Sequence, residues 1–204
     1  AHSIALRTCA YSIGSPRQLL FADVACALTK TRYLHSARYC LPRDSSLSPE
    51  LWSPALQKPT FPKELWPAQR LLGRGGIFAG KSGVVQMPTS AGKTRAAQII
   101  VRSAFLSNRT SLAVIIAPFR ALCHEISNSL VQAFRGESVT VNEFSDVLQA
   151  DFDIQSLLGG KQLLVMTPEK LLYVLRHSPE LAQSIGLLIY DEGHQFDSTS
   201  RGVT

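Results

Sequence analysis

The chain has 204 residues, 45% of them hydrophobic and 18% charged, which suits one well-buried core with a small appendage and excludes a disordered or fibrous polypeptide. No apolar run approaches the ~20 residues of a membrane span and the N-terminus lacks the charged-then-apolar layout of a signal peptide, so a cytoplasmic, nucleoid or nuclear location is expected, not a secreted one. The net charge of +6 lies mainly in front, residues 1–60 holding seven Lys or Arg against three Asp or Glu, as suits a polyanionic partner.

The four cysteines, Cys9, Cys26, Cys40 and Cys123, form no C-x-x-C pair. That argues against a zinc site and against disulfides, and they read as buried free thiols.

Residues 1–45 read as an accessory segment of two or three helices. Leu19, Leu20, Val24, Ala27 and Leu28 recur at helical spacing, and Gly14-Ser15-Pro16 breaks the pattern. Within it Lys30, Arg32, Tyr33, His35, Arg38 and Tyr39 interleave cations with aromatics. That mix can track a nucleic acid backbone, but a solvated helix face is the favoured reading. Residues 46–62 are rich in Pro and Ser and are expected to be a linker or an extended wrapping segment. Trp52 and Trp66 read as packing anchors.

Beyond Trp66, strands are expected at 83–87, 112–117, 139–141, 163–167 and 187–191, with helices beginning near Thr94, Arg120, Phe152 and Pro168. The unbroken apolar run at 112–117 implies strands buried on both faces. The fold class is therefore α/β, a parallel sheet with helices on each side.

The central stretch is Met87-Pro88-Thr89-Ser90-Ala91-Gly92-Lys93-Thr94. Small residues from Thr89 to Gly92 let backbone N–H groups close around phosphate oxygens, and the helix start adds the positive end of its dipole. Lys93 would neutralise the β- and γ-phosphates of ATP, and the Thr94 hydroxyl would hold Mg2+. A second stretch, Gly75 to Ser82, fits the generic G-x-x-x-x-G-K-[ST] pattern without a mismatch. It is preceded by helix-like residues and followed by a β run, the reverse of what a phosphate loop needs. It reads as a mobile Gly-rich connection with a solvated Lys81.

Three expected strands end at a proline, Pro88, Pro118 or Pro168, each expected to open the next helix. Their helix N-termini would then share the carboxyl edge of the sheet, where α/β folds bind ligands. Pro118, Arg120, Thr167 and Pro168 become candidates for holding a nucleic acid backbone. The last strand delivers Asp191-Glu192-Gly193-His194. Two carboxylates at the end of an apolar strand are costly unless they meet a cation, so Asp191 is assigned to Mg2+ and Glu192 to the base that activates water.

With those residues placed, the chain resembles the first RecA-like domain of a superfamily-two helicase, on the DExH side and close to its Ski-type branch. Gln69 in Leu65-Trp66-Pro67-Ala68-Gln69 resembles the adenine-reading Q motif, and residues 88–94 resemble motif I as that branch writes it, without the first glycine. Ala117 to Leu122 with Glu125 resembles motif Ia, Thr167 to Leu171 motif Ib, and Asp191 to His194 motif II. His194 followed by Arg201-Gly202 is similar to the Ski-type pattern, which implies a coupling role for His194 and a nucleic acid contact for Arg201. The resemblance covers residues 62–204 and implies a RecA-like P-loop NTPase domain over 63–204. It also implies that this domain is incomplete at its C-terminus, lacking the Ser-Ala-Thr motif and a second RecA-like domain of the same polypeptide.

The implied activity is that of an ATP-dependent helicase or translocase on DNA or RNA, nearly inactive as an isolated piece. Two alternatives remain open. One is a nucleotide- or nucleic-acid-binding module without turnover, with residues 1–45 docking a protein partner; the other is a different P-loop ATPase, against which motifs Ia and Ib count.

Overall fold

In the computed structural model, residues 2–88, 91–144 and 159–193 are described. Two apolar runs lie at its centre. Strand β1 (Leu112–Ile116) is buried along its whole length, as is β3 (Lys161–Met166) after its first residue. They pair in parallel, Ala113 opposite Leu163 and Ile115 opposite Val165. β2 (Val139–Phe144) lies outside β3 and β4 (Ile185–Tyr190) outside β1, also parallel, in the order β2-β3-β1-β4.

The alternation of side chains along β1 builds two cores. Ala113 and Ile115 face α6 (Lys93–Leu106) and α7 (Arg120–Phe134), packing with Val101, Phe105, Ile126 and Leu130. Leu112, Val114 and Ile116 face α8 (Pro168–His177) and α9 (Glu180–Ser184) through Leu171, Val174 and Leu181. Each such side chain contributes roughly 1.5–3 kcal/mol by leaving water, so the sheet is the main source of stability. Burial on both faces fails at β4, where Leu188 and Tyr190 are exposed.

The strand expected at 83–87 is not formed. Residues 81–88 have no regular structure, and Val84 is fully exposed. Apolar composition raises strand propensity, but a strand persists only when paired and packed, and this run pairs with none of the four. Of the three prolines, only Pro168 begins a helix, with Thr167 as N-cap accepting from the Lys170 N–H at 3.4 Å. Pro118 lies two residues before the start of α7, with Phe119 as the N-cap between, and Pro88 lies in the irregular stretch before Lys93. The helix expected near Phe152 lies outside the described residues.

In front, α1 (His2–Ile13) and α2 (Pro16–His35) form a hairpin closed by Arg7 and Tyr11 on Asp23, at 2.6 and 3.0 Å. Only Ala22 is buried in it. α3 (Ala37–Ser45) and α4 (Pro49–Gln57) follow, so much of the expected linker is helix. The prolines and serines of that stretch begin and cap a helix, Ser48 preceding Pro49, where a solvated linker would leave them free. Trp52 is wholly buried with Ala37, Cys40, Leu41, Phe61, Leu65, Phe78 and Ile99. Its indole N–H donates to Ser45 Oγ at 3.0 Å. Ile99 belongs to α6, so this front core continues into the sheet unit.

The Gly75–Ser82 connection is anchored instead of mobile. Phe78 is buried, and its carbonyl accepts from Ser103 Oγ at 2.6 Å and Arg109 Nη2 at 2.9 Å. Lys81 is exposed, as expected. Among the cysteines, Cys40 and Cys123 are buried, and burial pushes both thiols up; Cys9 is exposed and Cys26 half-buried. Among the described residues no helix is long and apolar enough to cross a membrane.

Candidate nucleotide-binding site

Parallel pairing sends β1, β3 and β4 out at one edge of the sheet. There the Asp191 N–H donates to the Ile116 carbonyl at 2.8 Å, which fixes the strand end against β1. Glu192 takes a left-handed backbone, φ 52°, and its N–H donates to Asp191 Oδ1 at 3.0 Å. A non-glycine residue in that region carries roughly 1–3 kcal/mol of strain, a cost typical of working sites. The turn aims the Glu192 carboxylate at the start of α6, where it forms an ion pair with Lys93 Nζ. Residues 99 positions apart, assigned to phosphate binding and to water activation, thus meet.

The start of α6 is shaped by Gly92, whose φ of +79° an L side chain adopts only with strain. Its carbonyl accepts from the Ala96 N–H at 3.0 Å and from Gln69 Nε2 at 3.3 Å. Gln69, buried in α5 (Pro67–Arg74), also accepts the Trp66 N–H at 3.0 Å. The side chain expected to read an adenine is therefore engaged with the loop that would hold the phosphates. No sequence spacing announced that contact. A Cβ on Gly92 would lie 2.8 Å from Gln69 Nε2. Gly92→Ala should cost roughly 1–2 kcal/mol, read as a lower urea midpoint with unchanged slope, and should weaken nucleotide binding.

Trp66, expected to be a packing anchor, is 54% exposed beside Gly92. Ala91 closes a turn onto the Pro88 carbonyl at 3.0 Å, and Thr94 is exposed in the first turn of α6. Thr89, Ser90, His194 and Arg201 lie outside the described residues.

Asp191 is half-buried. Burial first, and the neighbouring Glu192 charge second, push its carboxyl above the ordinary range, with Lys93 opposing. Lys93 is committed to Glu192, so Asp191 is the carboxylate that a further cation would relieve. Among the described residues no group of three or more His, Cys, Asp or Glu gathers. A cation held by Asp191 would take water and phosphate oxygens as further ligands.

Four of the expected nucleic acid contacts, Pro118, Arg120, Thr167 and Pro168, lie at the same edge. Arg120 is exposed at the start of α7, Pro118 is buried before it, and Pro168 begins α8. Thr167 caps α8, its oxygen accepting from the Lys170 N–H.

Residues 69–204 match the family model described as DEAD/DEAH box helicase. The chain belongs to the DEAD/DEAH box helicase family. It is 30% identical over 141 residues to the Hachiman protein HamB of Bacillus cereus, covering 69% of this chain and 13% of that protein. It is 30% identical over 147 residues to the ATP-dependent DNA helicase Hel308 of Thermococcus kodakarensis, covering 70% and 12%. To Hel308 of Pyrococcus horikoshii it is 28% identical over 151 residues, covering 69% and 19%. It thus spans less than a fifth of these relatives. DEAD/DEAH box membership implies the use of ATP.

Proposed function

We propose that the chain is the N-terminal motor half of an ATP-dependent helicase or translocase, close to the Ski-type branch, working with a second RecA-like domain of the same polypeptide. Residues 63–204 are its motor domain and residues 1–45 an accessory segment, in an intracellular setting. The observation that carries the reading is the Lys93–Glu192 pair at the carboxyl edge of a parallel sheet, beside an Asp191 held to β1. The Hel308 relatives are DNA helicases by name, which favours DNA over RNA as the polymer.

Lys93 holds the β- and γ-phosphates, with the amides from Thr89 to Thr94 around them. Asp191 and Thr94 hold Mg2+, which when bound neutralises charge developing on the phosphate oxygens. Glu192 orients and deprotonates the attacking water, and Gln69 reaches the adenine side of the cradle while steadying Gly92. Arg120, Thr167, Arg201, Pro118 ahead of α7 and the helix start at Pro168 hold the nucleic acid backbone, and His194 couples the two sites.

The Lys93–Glu192 side chains are 29% and 25% exposed. Exposed pairs contribute only about 0–1 kcal/mol, so even a somewhat stronger, partly buried pair yields when phosphate offers Lys93 a fuller charge. Glu192→Gln frees Lys93 while removing the base. In the whole polypeptide, nucleic-acid-stimulated phosphate release should fall about 10²- to 10⁴-fold with ATP binding retained. Turnover that survives Glu192→Gln overturns the assignment, and a wild type that binds without turnover supports a binding module instead.

A further inference from the structure

The junction of α2 and α3 gathers an aromatic ring and a guanidinium around Tyr39. α2 ends at His35 and α3 begins at Ala37 with Ser36 as N-cap, and this turn folds Tyr33 onto Tyr39, ring centres 4.8 Å apart and planes at 44°. One turn further along α3, the Arg43 guanidinium lies 5.0 Å from the Tyr39 ring centre. Tyr39 packs against the front core and is fixed there, whereas Tyr33 is 60% exposed. An exposed ring adds little to the core; its free face is surface for another ring.

Cations surround the cluster. Lys30 sits one turn before Tyr33, and Arg32 and Arg38 are exposed on either side of the junction. No Asp or Glu occurs between residues 30 and 43. Two acids face the cluster from its surroundings: Asp44, bound to Arg43 at 2.7 and 3.1 Å, and Glu64, 3.9 Å from Arg32. α5 contributes Arg70 and Arg74, which with Arg43 act on the neighbouring Cys40. The balance stays positive after both acids are matched.

We infer that Tyr33, backed by Tyr39 and Arg43 and flanked by Lys30, Arg32 and Arg38, is an accessory single-strand nucleic acid site, separate from the carboxyl edge of the sheet. The exposed ring stacks a base and the cations meet the flanking phosphates, the chemistry of sequence-tolerant single-strand binding. Duplex bases are already stacked on one another, so the site selects single strands. It shares with the motor reading only the class of ligand and needs no ATP.

Fluorescence anisotropy of a labelled oligothymidylate with the 204-residue chain, without nucleotide, tests this. Tyr33→Ala should weaken binding about tenfold, and Tyr33→Phe should bind as wild type. Lys30→Ala and Arg38→Ala should each reduce the slope of log affinity against log salt by about 0.7. If Tyr33→Ala binds as well as wild type, the site is wrong and the cluster is left for a protein contact; if Tyr33→Phe loses as much as Ala, stacking is wrong. ATP-induced stabilisation measured in parallel separates the two readings: its absence in wild type with the Tyr33 effect intact defeats the motor alone, and the converse defeats this site alone.

Discussion

Lys93→Ala should remove most or all measurable ATP binding. Lys93 lies at the first position of α6, on the Gly92 turn, with its ammonium already at the edge where Asp191 and Glu192 end β4. Removing one member of a close charge contact costs about 2–5 kcal/mol, which is roughly thirtyfold to several thousandfold in affinity. Thermal unfolding during a titration with ATP and magnesium reads this directly. At a ligand concentration about 100 times Kd the wild type gains about 2.7 kcal/mol, a rise on the order of 5–10 °C for a domain of this size. Lys93→Ala, compared with its own nucleotide-free midpoint because Glu192 has also lost its partner, should show a rise of at most about 2–3 °C at the thirtyfold end of that range and none at the other end. Lys81→Ala should rise like the wild type. The opposite pair of results would move the phosphate cradle to Gly75–Ser82.

Glu137→Ala should be the most damaging substitution away from that edge. Glu137 follows the end of α7 and receives Arg102 from α6, at 2.8 and 3.1 Å, and Lys58 from just after α4. Arg102 is only 2% exposed and lies 4.4 Å from the centre of the Phe134 ring. Deleting the carboxylate leaves a buried guanidinium unmatched, at a cost of about 3–5 kcal/mol in urea unfolding. Burial pushes the Glu137 carboxyl up, but the hydrogen bonds from Arg102 and Lys58 outweigh it and hold the group below the ordinary range. The unfolded chain then binds more protons than the native one, so stability falls as pH drops from the ordinary carboxylate range to the lower folded value. Glu137→Gln should lose that part of the acid dependence. An unchanged profile would show that the bridge contributes nothing.

Regular burial made the sheet legible. The apolar runs that became β1 and β3 have few alternatives, and α6, α7 and α8 begin within a residue of their expected starts. Composition misled at 83–87, since an apolar run without a partner strand stays irregular, and at 46–62, where Pro and Ser begin and cap α4 around a buried Trp52. The residue types at the candidate site could be read from their order, but their contacts could not. That Lys93 meets Glu192, or that Gln69 holds the Gly92 carbonyl, depends on a left-handed turn at Glu192 and on Gln69 of α5 reaching the turn before α6, neither of which has a local signature.

The contrasting settings of the two tryptophans have an optical consequence. Trp52 emits from a dry core and should report little besides unfolding, while Trp66 stands in water beside the Gly92 turn. A change in the long-wavelength, quencher-accessible part of the emission on adding nucleotide would therefore come from Trp66, so the chain carries its own fluorophore for following occupancy of the cradle in real time.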